Sequence, residues 1–329
     1  LIELLGPPPE TVDLPIPYRR RAKGPEPPLL DLRAVVYDAL RKQRWWKANL
    51  EGGACPLYGL AERFNRDPNR TAAQLREQLA IDRLRERSTT WNDFRRRLVN
   101  ELERYNVLVI RRGYLGLNRN QKLDPRHLAG FAIPDPKAPL IFINTNDYVA
   151  SQIFTLAHEL AHVTLGSPAI DDRLEFDEYT QSSHEERICD HIAAELLVPR
   201  EPFLRRWVDT PDEHELAKYF KVSVWVILRR ALELGRLHGD EYRSRLDRYR
   251  KELEKSEGLS PEIPKERPRR FATEVETLSG RALARAVAQA VAQGDLTYSE
   301  AANLLWVSLK GFLTYLDSLE KRISRMRTL

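Results

Sequence analysis

Apolar residues recur three and four positions apart over most of this chain, a pattern that predicts a mainly helical protein. Residues 30–44, 72–87 and 91–104 each carry it. Thr71 is placed to cap the second of these helices, with Gln74 completing a capping box, and Thr89 or Thr90 to cap the third. The helical period then stops. Residues 107–112, 130–133 and 140–144 read as strands of a small sheet, and Pro134-Asp135-Pro136-Lys137-Ala138-Pro139 as the turn joining the last two. Leu140-Ile141-Phe142-Ile143-Asn144 is the candidate for a sheet edge that takes up an extended peptide as an added strand; an ordinary sheet strand is the alternative. The helical period returns over 154–166 and 183–199. It continues over 213–220 and 224–234, where Lys221-Val222-Ser223 is the turn and Ser223 the cap of a helix-turn-helix-like pair. A second such pair follows, with Thr297 capping 298–305 and Ser308 capping a helix that reaches 316. The fold class expected is α+β, mainly helical, with the small sheet packed on the helix at 154–166.

That helix carries the chemistry. It contains His158-Glu159-Leu160-Ala161-His162, an H-E-x-x-H box. Four residues of helix turn through about 400°, so the two histidines lie on one face, roughly 40° apart, and both can reach one metal ion. Glu159 is close enough to take a proton from a water held at that ion. Phe154, Leu156, Leu160, Ala161 and Leu165 supply apolar surface, and Gly166 is a stop signal.

A third ligand is available in the next helix. Glu186 and Asp190 are four residues apart and share a face. The spacing suits a carboxylate ligand followed by a carboxylate that holds a ligand histidine through its other ring nitrogen. Glu186 is preferred to Glu185, which points about 100° away and has no such partner one turn on. Glu195, His184 and His191 compete for the same duties. Three protein ligands leave a fourth position for water, the layout of a catalytic zinc. The residues thus describe a zinc endopeptidase in which His158, His162 and Glu186 hold the metal, Glu159 is the general base and Asp190 orients a histidine. Tyr148, Tyr179 and His184 are candidate oxyanion donors.

FTLAHELAHVTLG followed by ERICDHIAAELLVP resembles the ImmA/IrrE family of bacterial metallopeptidases, whose second motif is E-x-x-A-N-x-F-A-x-x-L-L-M-P. Glu186, Ala193, Leu196, Leu197 and Pro199 match it. Cys189, Asp190, Ile192 and Val198 stand where the family has Ala, Asn, Phe and Met, and Asp190 moves the motif toward the thermolysin-like gluzincins. The resemblance implies a zincin-like fold and cleavage of a cognate Xre-type helix-turn-helix repressor, switching on stress, mobile-element or defence genes. The alternative is a regulatory or binding module that retains the peptidase fold without proteolysis.

Length and composition change the picture little. At 329 residues and 42% hydrophobic the chain can form two or three domains. The organisation expected is a Pro-rich arm or linker at 1–28, a zinc metallopeptidase domain at 29–207, a helix-turn-helix-like tail at 208–250, a charged linker at 251–270 and a C-terminal helical domain at 271–329. The net charge of +5 permits DNA contact through the tails without demanding it. The second helix of the first pair, Val224-Trp225-Val226-Ile227-Leu228, suits packing better than base reading, which needs polar side chains. No run approaches a membrane span. Cys55 and Cys189 read as reduced thiols of a cytoplasmic protein. The chain starts at Leu1 and its only methionine is Met326, so an N-terminally shortened form is expected to be one explanation of its start.

Overall fold

Three buried strands, apolar except for Arg111, Arg112 and Asn144 at their ends, form the centre of the molecule. In the computed structural model, which describes residues 29–50, 52–116, 118–166, 184–207, 211–256 and 271–327, the chain is α+β, mainly helical with a small mixed sheet. Helices α1 (Leu29–Asn49), α2 (Pro68–Gln78), α3 (Ile81–Glu86) and α4 (Trp91–Arg104) precede it. Next come β1 (Leu108–Arg112), a hairpin of β2 (Tyr114–Leu115) and β3 (Asn118–Lys122), β4 (Gly130–Ile133) and β5 (Leu140–Asn144). The rest is helical: α5 (Val149–Leu165), α6 (His184–Leu197), α7 (Arg200–Arg206), α8 (Glu213–Phe220), α9 (Val224–Glu233) and α10 (Gly239–Ser256). After these come α11 (Phe271–Ser279), α12 (Arg281–Gln293), α13 (Tyr298–Leu305) and α14 (Leu309–Arg327).

The strand order is β1-β5-β4, with β5 parallel to β1 and antiparallel to β4. The strand at 140–144 is therefore central and not an edge, which removes it as a peptide-adding edge. Its uninterrupted apolar run reflects burial on both faces, which leaves no place for alternating polar residues. Successive side chains enter different cores. Leu108, Ile110, Phe131, Ile133, Leu140 and Phe142 face a cluster built with α1 and α11–α14. Val109, Ala132, Ile141 and Ile143 face a second cluster built with α2–α10. The segments expected as a tail at 208–250 and a C-terminal domain at 271–329 are thus both packed into cores that the sheet shares.

Most expected elements are present, with informative differences. The helix expected over 72–87 is two helices. Asp67, not Thr71, caps the first, accepting from Asn69 and Arg70, while the Thr71 hydroxyl donates to Asp67 O inside it. Ala80 then takes a left-handed φ of 49° and breaks the run. Thr90, Ser223 and Thr297 cap as expected, Thr297 in a full capping box with Glu300. α10 runs on to Ser256, into the segment expected as linker. The arm at 1–28 and most of that linker lie outside the described residues.

α1 is pinned by polar contacts. Gln43 donates to Ile133 O and Ala138 O at 3.0 and 2.9 Å, and Arg41 to Asn303 O at 2.7 Å. Lys42, fully buried, pairs with Asp38.

Two measurements check this packing. Phe142 stacks on Phe131 with ring centroids 4.9 Å apart, and Phe142→Ala is expected to cost about 3–5 kcal/mol in urea unfolding. Burial lowers Lys42 to about 8 in spite of Asp38, with Arg112 and Arg41 adding to the shift. The unfolded chain keeps that proton up to its ordinary value of 10.5, so between pH 8 and 10.5 the unfolded state binds more protons and the contribution of Lys42 to stability rises with pH. Lys42→Met is expected to flatten the stability–pH curve in that window.

Candidate metal centre

α5 is enclosed on nearly every side, as an apolar helix must be. Its start is held by side chains: Asp147 accepts from Tyr148 N at 2.8 Å, and Gln152 donates to Asp147 O at 2.8 Å and receives the buried Arg95 of α4. Its end is set by Gly166, at a left-handed φ of 63°. A Cβ there would lie 3.0 Å from Gly59 Cα, so the position needs glycine for its dihedral and for the close approach of a neighbouring turn. Gly59 N donates to Val163 O at 3.2 Å and Tyr58 Oη to Gly166 O at 2.8 Å, which tie that turn to the helix.

Between these ends lie His158 and His162, 2% and 8% exposed, and Glu159, 1% exposed. α6 packs across α5 and brings Glu186 between the two imidazoles. His158 Nε2 is 3.2 Å from Glu186 Oε2, and His162 Nε2 is 3.3 Å from Glu186 Oε1. The donor atoms of His158, His162 and Glu186 all lie within 4.8 Å of one another, a group that could hold a metal ion. Burial alone would raise the Glu186 carboxyl; hydrogen bonds and charge from His158 and His162 outweigh it and hold the group well below the usual carboxylate range. His158 Nδ1 meets Asp190 Oδ1 at 2.9 Å, one helical turn beyond Glu186.

The competing residues are placed elsewhere. Glu185 reaches only to 4.0 Å from His162 Nδ1. Glu195 accepts from Arg200 N at 3.0 Å and pairs with Arg230, which also donates to Val198 O; these contacts fix the C-terminal end of α6. His191 meets Asn69 at 3.1 Å. Burial pushes the Cys189 thiol far up, against a role as a thiolate ligand. Among the candidate oxyanion donors, Tyr148 stands at the start of α5, ten residues and about 15 Å of helix before His158, so the fold does not bring it to the cluster. His184 is exposed at the start of α6, about 200° round the helix from Glu186. Tyr179 lies outside the described residues. The Gln152–Arg95 brace and the Gly59 contact escaped the sequence reading, because neither partner carries a local signal of its mate.

Residues 102–232 match the Peptidase M78 family model, described as an IrrE N-terminal-like domain. Over these residues the chain is similar to the M78 peptidases. The matched M78 segment begins within α4 and ends within α9, and takes in the sheet, α5 and α6. It points to a metallopeptidase-type function. α1–α3 and α10–α14 lie outside it. Comparison with curated proteins and with solved structures gave no match. No helix among the described residues is long and apolar enough to cross a membrane.

Gly166→Ala is expected to destabilise the protein by about 1 kcal/mol or more, read by chemical unfolding.

Proposed function

We propose that the M78-like domain is a zinc-dependent endopeptidase. The observation that carries the reading is one carboxylate whose two oxygens each face the Nε2 of a different histidine, at 3.2 and 3.3 Å. The three donor atoms lie within 4.8 Å of one another, close enough to share one ion. Two imidazoles and one carboxylate are a donor set of catalytic zinc, which keeps a position open. A zinc ion held by His158, His162 and Glu186 would polarise a peptide carbonyl and lower the pKa of a water toward about 7.

The other residues act by position. Asp190 accepts from the Nδ1–H of His158, which fixes the tautomer and leaves Nε2 to ligate. Glu159, next to His158 and buried, takes the proton of the attacking water and delivers it to the leaving amine. A buried glutamate with this duty favours proteolysis over a regulatory module that only keeps the fold.

The resemblance to ImmA/IrrE peptidases supports a cognate Xre-type helix-turn-helix repressor as substrate, cleaved in the cytoplasm to switch on stress, mobile-element or defence genes. DNA contact through the tails finds little support in α8–α9: Val224, Val226, Ile227 and Leu228 are buried, and the exposed Arg229 pairs with Glu233.

Zinc-loaded protein incubated with a helix-turn-helix repressor encoded beside it should yield discrete fragments by mass spectrometry. An intact repressor under every activating condition would count against the substrate. Glu159→Gln is expected to keep zinc and lose at least about 100-fold in cleavage rate. Asp190→Ala is expected to weaken zinc binding about 10- to 100-fold by competition with a chelating dye.

A further inference from the structure

A second site stands out on the far side of α6. A cleft of about 630 Å³ opens between α3, α7 and the end of α8. Arg76, Arg85, Arg205, Arg206 and Lys221 line it, against the carboxylates of Asp82 and Glu86. Five cations and two anions leave three positive charges in surplus.

Part of that charge has a structural use. Asp82 pairs with Arg76 at 2.6 Å and with Arg85 at 2.9 Å, and Arg85 also donates to Leu197 O at 2.7 Å. The rest does not. Among the described residues no carboxylate pairs with Arg205, Arg206 or Lys221. Arg206 lies over the Tyr219 ring, 3.7 Å from its centroid, and donates to Pro202 O at 3.4 Å. Lys221 is 7% exposed, donates to Lys218 O at 2.8 Å, and takes a left-handed φ of 59° that glycine or asparagine would adopt at less cost. A buried lysine at such a turn serves charge better than it serves the backbone. Burial lowers Lys221, with Lys218 and Arg85 adding to it; burial lowers Arg85 against the opposing charge of Asp82, with smaller contributions from Arg76 and Arg206.

We propose that this cleft binds a small polyphosphate anion: pyrophosphate, or the phosphate chain of a nucleoside triphosphate. Guanidinium forks match phosphate oxygens two at a time, and an anion of charge near −3 or −4 would cancel the surplus. Binding is read without reference to peptidase activity; Arg85 of the cleft reaches α6 at Leu197 O, at the opposite end from Glu186.

Calorimetric titration of the full chain with pyrophosphate and separately with ATP tests this. One saturable site is expected, weakened at least about tenfold in Arg205→Gln and in Arg206→Gln, weakened less in Arg206→Lys, which keeps the charge and loses the fork, and lost toward about 0.5 M salt. Arginines 205 and 206 are exposed, so the thermal midpoint should hold and show that the variants fold. Binding of ATP alone would mean that the base is also read; binding of both anions would assign recognition to the phosphates, and either supports the site. Absence of saturable binding for both anions overturns the proposal. So does equal binding by the wild type and both glutamine variants, or binding of a single-stranded oligonucleotide without binding of either anion.

Discussion

The crossing of α5 and α6 is the constraint on which the rest of the structure depends. α5 is enclosed by apolar neighbours, yet it carries two imidazoles and a carboxylic acid that water would otherwise solvate. Buried polar groups must find partners, and here those of the histidines come from α6. Glu186 meets both Nε2 atoms and Asp190 takes the remaining nitrogen of His158. The arrangement tolerates little sliding, and each helix is anchored away from the cluster. Gly166 against Gly59 and Arg95 on Gln152 fix α5; Arg85 on Leu197 and Arg230 on Glu195 and Val198 fix the end of α6.

The sheet extends this logic to parts of the chain outside the M78 match. A three-stranded sheet with two apolar faces needs cover on both. The face toward α5 is covered by the peptidase helices. The other is covered by α1 and α11–α14, which share a core with Leu108, Phe131, Leu140 and Phe142. Truncation before α11 would uncover that face, since α11–α14 share its core.

Much of this was legible in the sequence, for reasons that differ by element. The strands at 130–133 and 140–144 were readable because β-branched and aromatic runs bounded by prolines have few other conformations. Glu186 was readable because only it has a carboxylate one turn on, and the structure brings that pair to His158. The strand order was not readable: an apolar run says that both faces are buried, not which strand lies in the middle. The break at Ala80 was also hidden, since alanine carries no signal for a left-handed dihedral and tertiary packing imposes it. Tyr148 looked suitable by residue type alone, and only the length of α5 separates it from the histidines. Thr71 lost its expected cap to Asp67, which sits four residues earlier, ahead of a proline suited to the first helical turn.

The most direct test of the central claim is zinc stoichiometry and affinity in metal-stripped protein, with His162→Ala and Glu186→Ala beside the wild type. The account predicts one zinc ion per wild-type chain and the loss of high-affinity binding in either variant. One ion retained at undiminished affinity in both would show that these three side chains do not form the metal site.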